Sequence, residues 1–297
     1  MTTINKLHLV ERAAERLLRS GSAPDLAGGA PPAGAEPGPP SGPASSLVGE
    51  ASASAAHPLI AASALVKTGL IEGKTARNRV SEEFRLVQSQ VLRAAFAQPG
   101  GEAGFTNLLM VTSARPKEGK TFAALNLAAS IARQGDRQVL LVDADAKRGS
   151  LCDALGLAQA PGLLDLALAP SLDPLPFLHP TEIGMLSFLP VGQQRGERPE
   201  LFASEQMVRA MQSLGRRFAD RLVILDVSPC LSTSDPATLA PVVGQILFVI
   251  EAERTQRDEV EASLDLIQTC PTITLLLNKV KMSTPRSFGV YSYSYTS

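Results

Sequence analysis

The sequence predicts an α/β fold: a mainly parallel sheet covered by helices on both faces, with a disordered linker before it and a disordered tail after it. Three observations carry this. Short apolar runs such as Leu108 to Thr112 and Leu222 to Leu225 are continuous rather than alternating, as in strands buried on both faces. Stretches with helical spacing separate them, the pattern of strand–helix–strand crossovers. Residues 58–282, about 225 in all, are enough for one well-buried domain.

The elements follow in order. Residues 4 to 19 place Leu7, Val10, Ala14 and Leu17 at helical spacing, with Glu11, Arg12, Glu15 and Arg16 on the other faces. This predicts an amphipathic helix within 1–20 that docks on a partner or a sister subunit, or folds back on its own domain. Residues 21–57 hold seven Pro, seven Gly and no Lys or Arg, a linker that cannot bury enough apolar surface to order itself. A helix is predicted over 81–96, where Ser81 can cap and Glu82 and Glu83 suit the positive end of the helix dipole. Strands are predicted at Leu108–Thr112, Gln138–Val142, Leu186–Val191, Leu222–Leu225, Gln245–Ile250 and Thr272–Leu277. Helices are predicted at 120–133, 200–218 and 255–268, and residues 283–297 form the tail.

Composition excludes several classes of function. With 28 basic against 29 acidic residues and a net charge of −1, the chain lacks the field that holds a nucleic acid. Cys152, Cys230 and Cys270 are few and widely spaced, which fits a reduced, cytoplasmic compartment. His8, His57 and His179 are equally scattered, against a zinc site. No apolar run approaches the roughly 18 residues a membrane span needs, so a partner must hold the chain at any membrane. There is no tryptophan, and the three tyrosines, Tyr291, Tyr293 and Tyr295, all lie in the last seven residues. They serve something other than packing.

The chemistry starts where Leu108–Thr112 runs into Ser113-Ala114-Arg115-Pro116-Lys117-Glu118-Gly119-Lys120-Thr121-Phe122 and a helix. A phosphate-binding P-loop needs this context: backbone amides and a helix N-terminus around the phosphates, a lysine on the β/γ-phosphates and a hydroxyl on Mg²⁺. Ala114 stands where the general pattern has its first glycine. Two further strands end in acids, Asp143-Ala144-Asp145 and Asp226. Ligands of open α/β sheets sit outside the carboxyl ends of the strands, so these acids suit Mg²⁺ and a nucleophile that must lose a proton. The fold is thereby predicted to be that of a P-loop nucleoside triphosphatase.

Residues 112–121, Asp143 to Leu151 and Asp226-Val227-Ser228-Pro229 resemble the Walker A, Walker A′ and Walker B motifs of the bacterial tyrosine kinases, autokinases related to the MinD and ParA ATPases. The resemblance spans about residues 80 to 282 and extends to Glu200-Leu201, Asp235-Pro236-Ala237 and Asn278, which it makes an adenine contact. The subgroup that accompanies exosortase-linked exopolysaccharide clusters looks most similar, with its N-terminal helix, variable linker, a helix like Glu83-Phe84-Arg85 and a tyrosine-bearing tail. The chain departs from the family at Lys117, commonly Gly; Lys147, commonly Arg; Gly149, commonly Pro; Val227-Ser228, commonly Thr-Pro; and Gln88, where a subunit-contact motif has a basic residue.

The resemblance implies ATP and Mg²⁺ as cofactors, residues 114–122 and Asn278 around the nucleotide, and Thr121, Asp145 and Asp226 for the metal. Lys120 neutralises phosphate charge, and Asp143 orients the acceptor hydroxyl and takes its proton. Arg148 clamps phosphate or faces a neighbour. Tyr291, Tyr293 and Tyr295 are the phosphoacceptors, about 35 Å of chain from Val280 at ~3.3 Å per residue. The implied partners are a membrane-bound polysaccharide co-polymerase of the chain-length-determinant type, further copies of the chain and a tyrosine phosphatase, with exopolysaccharide assembly at the inner membrane face as the process controlled. Two other readings stand beside it: a MinD/ParA-like ATPase, whose signature lysine would fall at Arg115, and a non-catalytic ATP-binding scaffold.

Overall fold

A computed structural model describes residues 57–71, 79–96, 105–145, 147, 149–193 and 199–281. The expected N-terminal helix, the linker as far as residue 56, Arg148 and the tyrosine tail lie outside the described residues.

Seven strands form one sheet: β1 (Phe105–Ser113), β2 (Val139–Ala144), β3 (His179–Pro180), β4 (Leu186–Leu189), β5 (Leu222–Val227), β6 (Val243–Glu251) and β7 (Ile273–Asn278). Their order is β3-β4-β2-β5-β1-β6-β7, and every pairing is parallel except β3 with β4. The continuous apolar runs are explained by this placement, since β2 and β5 are buried at every position. Register decides the site: Asp143 pairs directly with Asp226, and Asp226 with Val111 at the end of β1. Three strand ends therefore meet along one edge.

The helices are α1 (Ala62–Lys67), α2 (Arg79–Phe96), α3 (Lys120–Gln134), α4 (Leu151–Ala154), α5 (Leu163–Leu168), α6 (Glu205–Arg217), α7 (Asp235–Leu239) and α8 (Arg257–Ile267). Helix α3 is nearly encased because its Ala-rich faces let it lie close to its neighbours; ten of its residues are buried. Helix α2 lies along it, with Gln88 buried, accepting from Ser130 Oγ at 2.9 Å and donating to Gln134 Oε1. The position where the family motif has a basic residue is thus spent on helix packing.

Several boundaries differ from expectation, and three have a clear local setting. Helix α2 is already formed at Arg79, so Ser81 lies inside its first turn. The predicted helix at 200 opens as a 3₁₀ turn, Pro199–Ala203; α6 then starts at Glu205, after Ser204 accepts the Met207 amide at 3.3 Å. The run 186–191 is strand only to Leu189, because the amides of Leu163 and Leu164 bond to the carbonyls of Pro190 and Val191.

Residues 57–71 form a strap along the short edge strand. Ile60 bridges to Thr181, and the Asn126 amide group on α3 accepts from the Ile71 amide (2.8 Å) and donates to the Gly69 carbonyl (3.0 Å). At its start the His57 ring stacks on buried His179, centroids 4.0 Å apart. Burial, and then the His57 charge, pull His179 down to about 4. A histidine depressed in the fold stabilises it above the unfolded value near 6.5 and loses that contribution as pH falls towards 4. The urea midpoint should therefore drop over this window. His179→Phe keeps the stack and should flatten the drop; equal acid sensitivity in the variant would refute the assignment.

Candidate nucleotide site

The loop between β1 and α3 is held by its own side chains and by neighbouring segments. Ser113 Oγ donates to the Arg115 carbonyl (2.8 Å), and the amides of Cys230 and Leu231 bond to the carbonyls of Ser113 and Ala114 (2.8 and 3.2 Å). Glu118 is buried; one carboxylate oxygen accepts the Arg115 amide at 2.8 Å and the other accepts the Thr255 hydroxyl. Ala114 fits in place of the first P-loop glycine because its φ is not positive; the left-handed residues are Lys117 at 70° and Gly119 at 101°. A Cβ at 119 would also sit 2.1 Å from Asn278 Nδ2 and displace that side chain from its place on the loop. The loop ends at the N-terminus of α3, whose free amides and dipole favour an anion.

Lys120 leaves this helix start and reaches the strand ends. Its Nζ lies 2.7 Å from Asp145 Oδ2 and 3.3 Å from Asp226 Oδ1, and all three groups are buried. Burial works against the Lys120 charge, but Asp226 and Asp145 outweigh it and hold the ammonium ionised. Burial likewise opposes the Asp145 charge; Lys120 and the Ser228 hydroxyl, 2.8 Å away, hold its carboxyl below the usual range. For Asp226 burial wins, and its carboxyl is pushed up to about 6.

Among the described residues the site gathers Lys120, Thr121, Asp145 and Asp226 of those singled out in the sequence. Asp143 differs. It has no exposed surface, and its oxygens accept the amides of Asp145 (3.1 Å) and Cys152 (2.8 Å). It sits beneath the site and fixes the loop that carries Asp145, because the chain after β2 turns back over it. Phe122 turns its ring toward Phe84 on α2, 6.1 Å between centroids, so only its backbone faces the loop. Asn278 donates from Nδ2 to the Glu118 carbonyl at 2.8 Å and holds the loop from outside. The Arg115 guanidinium pairs with Glu259 on α8 at 3.2 Å. Beside it a cleft of about 220 Å³ is lined by Arg115, Pro116, Glu118, Glu251, Arg254 and Thr255.

Sequence reasoning missed Ser228 as the hydrogen-bond partner of Asp145, although it follows Asp226 by two residues, the spacing that keeps side chains on one side of a strand. A metal fits this site on one observation in particular: Asp226 Oδ2 is buried with no hydrogen-bond partner, and a cation's water shell would satisfy it. No cluster of three or more His, Cys, Asp or Glu able to hold a metal occurs among the described residues. That donor set suits Mg²⁺, which keeps its waters and takes most ligands from phosphate.

No protein-family profile matches the chain. Tyrosine-protein kinase Wzc of Salmonella typhimurium is 31% identical over 195 residues, 64% of this chain and 27% of that protein. The kinase domain of Escherichia coli tyrosine kinase ETK superposes with a TM-score of 0.53 at 25% identity, covering 74% of this chain and 89% of that one. Over about two thirds of its length the chain is similar to bacterial tyrosine kinases. Succinoglycan biosynthesis transport protein ExoP of Rhizobium meliloti is 30% identical over 195 residues, 63% of this chain and 24% of that protein. The chain spans about a quarter of the length of such curated relatives. No described helix is long and apolar enough to cross a membrane.

Proposed function

We propose that the chain is an ATP-dependent protein-tyrosine autokinase that phosphorylates Tyr291, Tyr293 and Tyr295. The observation that carries this reading is the placement of Asp145 and Asp226 within 3.3 Å of the Lys120 ammonium at the end of a P-loop, in a chain similar to tyrosine kinases.

In this reading the amides of residues 117–121 cradle the phosphates, and Lys120 exchanges its carboxylate partners for the γ-phosphate as charge builds there. Thr121 would supply a hydroxyl to the metal, and Asp226 and Asp145 would accept from its waters. Bound there, Mg²⁺ would supply charge neutralisation to the phosphates. Asp145, beside Lys120, orients the incoming phenol, whose ordinary pKa near 10 keeps it protonated at neutral pH. Asp143 holds Asp145 in place. Asn278 positions the loop and borders the base.

The name of one relative, a succinoglycan biosynthesis transport protein, supports a role in exopolysaccharide assembly. In this reading a membrane-bound co-polymerase is the partner, it recruits the chain to the inner face of the membrane, copies of the chain associate, and a phosphatase resets the tail. Each phosphate adds −1.5 to −2 charges, so three add about −5 to a tail whose one other charged residue is Arg286. Repulsion on that scale separates subunits and gives the process a switch. The domain plan follows: helix 1–20, linker 21–57, kinase domain 58–282 and substrate tail 283–297.

The test is residue-resolved phosphate mapping by mass spectrometry after incubation with Mg-ATP. Phosphotyrosine is expected at the three tail positions and none in a triple Tyr→Phe variant. Tail tyrosines that stay unmodified, with the membrane partner also supplied, would sink this reading.

A further inference from the structure

The described residues contain three non-glycine residues with positive φ, and all three lie in one corner: Lys117 in the P-loop (70°), Glu253 after β6 (65°) and Lys279 after β7 (57°). Left-handed backbone is strained for any residue with a Cβ and persists where surrounding contacts over-determine it. The contacts here are specific. Lys279 Nζ donates to the Lys117 carbonyl at 2.6 Å and pairs with Glu251 Oε2 at 3.3 Å. One residue earlier Asn278 grips the Glu118 carbonyl, and the Ala252 amide bonds back to the Asn278 carbonyl at 2.9 Å. Thr255 closes the corner by donating to the Glu118 carboxylate and accepting the Glu251 amide (3.1 Å).

Two successive P-loop carbonyls are thus held from the end of β7. Turned outward and bonded, they leave the intervening peptides oriented with their amides toward the phosphates. We propose that Lys279 is a positioning residue of the nucleotide site: its ammonium, oriented by Glu251, clamps the P-loop in the left-handed turn that Lys117 would otherwise relax. This deepens the nucleotide-binding reading above and rests on it. A glycine at 117 would adopt the same φ without strain and so would not need the clamp. The Lys279 side chain is 43% exposed, so its removal opens no core.

The experiment measures binding of Mg-ADP to the full chain by calorimetry and KM and kcat for ATP. Loss of a charge-assisted hydrogen bond predicts that Lys279→Met weakens Mg-ADP about tenfold and raises KM with kcat nearly kept. Lys279→Arg should recover most of the affinity. Lys117→Gly added to Lys279→Met should recover it too, a rescue that a merely structural lysine would not show. Wild-type affinity in Lys279→Met, or a loss that Lys117→Gly fails to repair, overturns the clamp. Absence of Mg-ADP binding in the wild type overturns the nucleotide reading itself, and the clamp with it.

Discussion

Lys120→Met should reduce tail phosphorylation by about 10²–10³-fold, the cost of removing one charged donor from a preorganised, dry site. The argument is geometric. Lys120 springs from the first residue of α3, is buried, and already sits 2.7 and 3.3 Å from the two acids that would flank a metal. No other described lysine is paired with either acid. Removing it leaves Asp145 and Asp226 side by side without a cation, and they respond by holding a proton, as Asp226 already tends to. The variant should therefore remain folded by circular dichroism while phosphotyrosine disappears. Wild-type phosphorylation in Lys120→Met would remove the P-loop from the mechanism.

Asp226→Asn has the second large effect and a second readout. Burial places the Asp226 pKa near 6, above its unfolded value, so ionised Asp226 costs the fold stability; the cost sets in as pH rises from about 4 to 6 and is complete above that. The isosteric amide removes a buried charge whose Oδ2 has no partner and keeps the Lys120–Asp145 pair. Above pH 6 the melting temperature should stay level or rise, while Mg²⁺-dependent phosphotransfer falls about 10²-fold or more. A stability paid away for function is the signature sought. A variant that melts earlier and still phosphorylates its tail would mark Asp226 as structural.

The contrast between these acids shows what the sequence could reveal. Apolar runs ending in Asp143-Ala144-Asp145 and Asp226 announced strand ends and a shared edge, because burial on both faces leaves no other place for a charge. Spacing alone could not rank the first two acids. Asp143 is taken out of the cleft by the Cys152 amide, nine residues on, and only the return of the chain over β2 reveals this. Gln88 reads as a departure from a surface motif until α3 is laid against it. The brace from Lys279 to Lys117 spans 162 residues of sequence and leaves no local pattern at all. Strand β3, two residues long and completed by the strap at Ile60, is too short for any periodicity to register.

The central claim is that phosphate leaves ATP for the chain's own tyrosines rather than for water. The direct measurement follows ADP released and tail phosphotyrosine formed in one time course, with purified chain, the membrane partner, Mg-ATP and no phosphatase. The account predicts that the two rise together and that ADP release stops when Tyr291, Tyr293 and Tyr295 are filled. Steady ADP release with no phosphotyrosine would contradict it and make the chain an ATPase.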